Sequence, residues 1–142
     1  MGRLHKFILA PWEDKTAFAA ALVVVIFTRL GLSFRSFDWL KKWVPATPKG
    51  EAPIERARTV ALSVSRASRL VPHASCLTQA FAGHLLLAWQ GYSSSIRIGV
   101  DREDSKLVAH AWLLAGDEVV LGGGPRTIAR YSVLTDLDTS VP

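Results

Sequence analysis

The sequence predicts an α+β protein: helices come first, and a small antiparallel sheet follows. Two observations carry this. Up to Gly91, apolar residues recur at three- and four-residue spacing or run together in Ala-rich stretches; beyond Gly91 they alternate with polar ones. A third sets the size: 142 residues, 49% of them hydrophobic, fit one domain with a sizeable core. Within that single domain, 1–142, residues 1–53 form an N-terminal helical part and linker, and 54–142 form the core.

The first ten residues carry Arg3, His5 and Lys6 ahead of Phe7-Ile8-Leu9, like the start of a secretion signal. Glu13-Asp14-Lys15 breaks that pattern, so a short strand or loop is expected. Thr16 to Leu32 is the most hydrophobic stretch. Its uncharged run, Ala17 to Thr28, is about a dozen residues, against roughly 20 needed to cross a bilayer. A buried helix is expected, despite the β-branched Val23-Val24-Val25-Ile26. Ser33 to Val44 reads as a second amphipathic segment with Phe34, Phe37, Leu40 and Val44 on one face. Pro45 to Pro53 is a linker, with Pro45, Pro48, Gly50 and Pro53 as breakers. Ile54 to Leu70 is a support helix with Ala57, Val60, Ala61, Val64 and Ala67 inward.

The central stretch follows. Pro72 and Ser75 mark a helix start, and Leu77, Ala80, Phe81, Leu85 and Ala88 define its apolar face, with His84 among them. Gly91 marks its stop. Strands are expected at Ser95–Val100, Leu107–Leu114, Val119–Gly122 and Tyr131–Leu134, with a charged loop at Asp101–Lys106 and a turn at Ala115–Glu118.

The formal charge is +5, with no basic block interleaved with aromatics, so no nucleic-acid partner is expected. Cys76 is the only cysteine. That excludes an intramolecular disulfide and a cysteine-rich zinc site, and agrees with a cytoplasmic location. No metal or cofactor is expected.

Cys76 falls in the first turn of its helix, where unpaired N–H groups and the helix dipole favour an anion such as a thiolate. A nucleophile there needs a base. His5 and His73 lie in expected loops, and His84 reads as half-buried packing. His110 is mid-strand between Ala109 and Ala111, with Trp112 on the same face. A helix-start cysteine followed by a hairpin bearing a histidine is the arrangement by which papain-like and transglutaminase-like enzymes pair thiolate with imidazolium.

The order and intervals of several motifs add a resemblance. Ser75-Cys76-Leu77-Thr78-Gln79, Trp89-Gln90-Gly91-Tyr92, Ile98-Gly99-Val100, Ala109-His110-Ala111-Trp112, Val120-Leu121-Gly122-Gly123 and Arg130 to Leu134 together resemble the B protein of lasso peptide biosynthesis, a transglutaminase-like leader peptidase. The resemblance covers roughly Thr59 to Leu134. It implies a papain/transglutaminase-like cysteine peptidase core, a catalytic helix packed on a small antiparallel sheet, acting in the bacterial cytoplasm. The expected activity is removal of the leader from a ribosomally made lasso precursor peptide. The implied partners are that precursor, a separate leader-recognition protein and a lasso cyclase. Cys76 is then the nucleophile and His110 the base.

The family often has an Asp about twelve residues after the histidine, and Gly122 stands there. Three alternatives follow: a carboxylate from elsewhere, with Asp101 the first candidate; a backbone carbonyl; or a Cys-His dyad. Cys76 N–H is the expected oxyanion donor. Two other classes of function stay open. One is a non-catalytic docking module of peptidase-like fold for the precursor or the cyclase. The other is a membrane-associated protein anchored through Phe18 to Phe27, although no membrane partner is expected. The stripe Phe34, Phe37, Trp39 and Trp43 is the candidate partner surface, with core packing as its alternative reading.

Overall fold

The structure is a computed structural model and describes residues 12–123 and 132–137. The short strand or loop expected at the N-terminus, His5 included, and the expected start of the last strand at Tyr131 lie outside these residues. The fold is α+β. Four helices, α1 (Trp12–Phe34), α2 (Phe37–Lys41), α3 (Ile54–Ser68) and α4 (Cys76–Trp89), precede four strands, β1 (Ser95–Glu103), β2 (Lys106–Ala115), β3 (Glu118–Leu121) and β4 (Ser132–Leu137). The strands form one antiparallel sheet in the order β3-β2-β1-β4.

Helix α1 is longer than the uncharged run suggested, because Arg29 lies within it and does not end it. Lys15–Phe34 is 20 residues with a mean hydropathy of 2.1, the one described helix long and apolar enough to cross a membrane. Its Val23 to Ile26 run is helical, so the Ala-rich context overrides local β preference. One side buries Ala21, Val24, Val25 and Thr28 against α3 and α4. Ser33 to Val44 is not one amphipathic helix. The Ser36 hydroxyl caps a new short helix by accepting the Trp39 N–H, so the chain bends after Phe34. Phe34 therefore ends α1 facing outward, off the face shared by Phe37 and Leu40. Trp39 and Trp43 pack on Phe27, at 5.6 and 5.4 Å between ring centroids.

The α3 periodicity is as read: Ala57, Val60, Ala61, Val64 and Ala67 are all buried. The linker ahead of α3 is stitched to the far end of α4. Lys49 N–H donates to Gly91 O, Ser93 N–H to Gly50 O and Ala52 N–H to Ser93 O.

The charged stretch Asp101–Lys106 is not a loop. β1 runs on through Asp101 and Arg102 to Glu103, which pairs with Lys106 across a two-residue turn. Asp104 and Ser105 both have positive φ (47° and 66°), the backbone of a tight right-twisted hairpin. That geometry lets the strands pair to their ends.

Helix α4 packs on β2 and on the start of β1. Gly83 permits this approach: a Cβ there would come within 2.6 Å of Leu113 Cδ2. β1 and β2 pair without a break from Ser95↔Leu114 to Glu103↔Lys106. Alternation then puts Ala111, Leu113 and Ala115 on the face that joins the main core, and His110, Trp112 and Leu114 on the opposite face. Leu113 is fully buried between α4 and the sheet. Leu113→Ala is expected to destabilise the protein by about 3 kcal/mol, read as a lower denaturation midpoint at unchanged m-value.

Candidate active site

The α4 start is built as the sequence implied. Ser75 is the N-cap, in extended conformation, and its hydroxyl accepts the Thr78 N–H at 3.2 Å. A cap of this kind fixes where the helix begins, so Cys76 is its first residue. Gln79 adds a hold on the preceding loop by donating from Nε2 to Ala74 O. Cys76 is partly exposed and packs by its apolar side against the core. That suits a thiol that is positioned yet reachable.

His110 lies on β2, opposite Gly99 of β1. Its ring makes an edge contact with Trp112 at 4.7 Å between centroids, and Trp112 is itself fully buried. On the other side β3 ends at Leu121. A bulge opposite Leu113/Leu114 advances β3 by one residue, giving Leu113↔Leu121 in place of Leu113↔Val120. Gly122 therefore comes alongside Trp112, and its carbonyl turns to the histidine. His110 Nε2–H donates to Gly122 O at 2.6 Å. A carbonyl only accepts, so this bond puts the ring proton on Nε2 and leaves Nδ1 with a lone pair.

The position that lacks an acidic side chain thus supplies the acceptor through its main chain. Its backbone is glycine-specific: φ is +110°, and a Cβ would lie 2.8 Å from both Ala111 O and Trp112 Cδ1. The acceptor seen at Nε2 is the Gly122 carbonyl. Asp101 lies on the same sheet face as His110, two residues beyond Gly99, and its Oδ1 accepts the Arg102 N–H at 2.8 Å. Asp117 and Glu118 lie at the far end of the β2–β3 hairpin, where Glu118 pairs with Arg58 of α3.

His84 is more deeply buried than the sequence suggested. It lies in the α4 core with Nδ1 2.8 Å from Ser94 Oγ, and it belongs to the scaffold. His73 is in the exposed loop before α4 with φ of 61°. No cluster of His, Cys, Asp or Glu that could hold a metal ion occurs among the described residues.

A capped cysteine at a helix start, packed on an antiparallel sheet whose second strand carries a histidine with an oriented ring, defines a cysteine-peptidase-like fold. A family model described as the transglutaminase-like superfamily matches residues 21–136, from within α1 to within β4. The chain belongs to that superfamily. No curated protein and no solved structure matches it.

Proposed function

We propose that this protein is a cysteine peptidase that removes the leader from a ribosomally made lasso precursor peptide. The observation that carries this is the Nε2–H···O bond from His110 to Gly122, which holds the ring in the tautomer a thiol-activating base needs. Nδ1 takes the Cys76 proton, and Sγ attacks the scissile carbonyl. The N–H of Cys76 stabilises the oxyanion, since the first N–H groups of a helix lack intrahelical acceptors. The imidazolium gives its proton to the departing amine as the peptide C–N bond breaks. Water then hydrolyses the thioester, releasing the leader carboxylate and restoring the thiol. The freed amine of the core peptide is the group a cyclase consumes. In free enzymes such proton-transfer contacts are often long and shorten only with substrate bound. The His110 ring is only partly buried.

A second reading is a non-catalytic module that docks the precursor or the cyclase. The observation favouring it is strand parity: His110 shares a face with Trp112, away from the face that meets α4. Iodoacetamide separates the two readings. A peptidase thiol reacts fast at neutral pH and slows on His110→Ala, whereas a docking module has a slow thiol indifferent to that change.

The direct test is cleavage of a cognate precursor with and without a separate leader-recognition protein. Cleavage is expected only, or many-fold faster, with that partner, as the resemblance to the lasso B proteins implies. Equal rates without it overturn the partner requirement. No cleavage under any condition, with a slow thiol, overturns the peptidase.

A further inference from the structure

The outward side of α1 is apolar where a helix on a soluble domain is normally polar. Val23 is 65% exposed, Leu30 51% and Phe34 79%, with Ile26 between them at 41%. Their spacing of 23, 26, 30 and 34 lines one stripe of the helix. The opposite side is packed on α3 and α4, so this helix lies along the domain and does not leave it to span a bilayer. The stripe ends in a cationic, aromatic cluster: Arg35, Lys41 and Lys42 are exposed, and Trp43 is 48% exposed. From Lys15 to Val44 the only acid is Asp38, already paired with Lys41 at 3.5 Å. Glu13 and Asp14 lie at the other end of α1, roughly 30 Å away at 1.5 Å per residue.

We propose that this end of α1, together with α2, docks the protein onto an anionic lipid bilayer. The chemistry fits that occupant on three counts. Leu30 and Phe34 are apolar enough to enter the acyl boundary, an indole at the rim suits the headgroup layer, and the surrounding charge is predominantly positive, with three exposed cations against Asp38. A protein partner of matching character would need both an apolar ridge and acidic flanks. A bilayer presents both over any area. The contact is peripheral, with the sheet and Cys76 remaining in water.

The test is co-sedimentation of the full chain with vesicles of phosphatidylcholine alone or mixed with phosphatidylglycerol. Binding is expected to the anionic vesicles only, weakened by salt, with a blue shift in tryptophan emission. Lys41→Glu with Lys42→Glu should weaken it about tenfold or more. Leu30→Ser with Phe34→Ser should weaken it comparably, and circular dichroism should show both double variants folded, since these side chains are exposed. Three outcomes overturn the proposal: no binding to anionic vesicles at low salt; binding untouched by Leu30→Ser with Phe34→Ser, which leaves a charge effect of the whole chain; or concentration-dependent dimers abolished by those substitutions, which assigns the stripe to a second copy of this chain.

Discussion

Cys76→Ala and His110→Ala are each expected to reduce leader cleavage to background while leaving the fold intact. The expectation follows from the proposed proton transfer: without the thiol there is no nucleophile, and without the ring the thiol keeps its proton. Loss of either member of such a unit costs several orders of magnitude, and the second loss adds little. The double variant should therefore be no slower than either single one. The fold should survive because neither side chain fills the main core. Cys76 and His110 are each only partly buried. Single-turnover cleavage of a cognate precursor, with circular dichroism on the same samples, checks both halves. Cleavage near the wild-type rate by either folded single variant removes that residue from the mechanism.

The second large effect is at Gly122. An aspartate there looks, from sequence, like the repair of an incomplete triad. The structure reverses that expectation. A side chain at φ +110° is strained, and its Cβ would press on the Ala111 carbonyl, which has no room to move within the sheet. Gly122→Asp is expected to destabilise the protein by on the order of 2 kcal/mol, a drop in Tm of roughly 8 °C for a chain of this size. It should also turn the carbonyl from His110 Nε2, so cleavage should fall in the fraction that remains folded. Asp101→Asn, by contrast, should change the rate little, because the Nε2 acceptor is main chain. Thermal melts and rates measured together test this pair. A stable, faster Gly122→Asp variant would return the orienting role to a carboxylate.

The sequence disclosed the parts whose signal is carried by side-chain type. The buried row of α3, the Ser75 cap and the first residue of α4 could all be read from spacing. Other features depend on geometry that residue identity encodes weakly. Asp104-Ser105 is a less familiar tight-turn pair than Asn-Gly, so strand β1 looked as though it stopped at Val100. The bend at Ser36 turned Phe34 outward because a hydroxyl three residues ahead of Trp39 captured a helix start. The Gly122 acceptor had no side chain to announce it; a carbonyl exists at every position, and only the path of the chain selects one. Strand parity was legible in the pairing of His110 with Trp112, but which of the two sheet faces meets α4 was decided by the notch at Gly83.

The stitching of residues 49–52 to residues 91–93 bears on how the chain behaves as a material. A proline-rich stretch between helices would ordinarily act as a hinge, letting two parts loosen separately. Here its amides are spent on the segment that closes α4 and opens the sheet, while α1 lies across both α3 and α4. The described parts therefore share their cohesion. Strain applied at α1, by a docking surface or a partner, reaches the helix that carries Cys76 through packed side chains, with no slack segment between to absorb it.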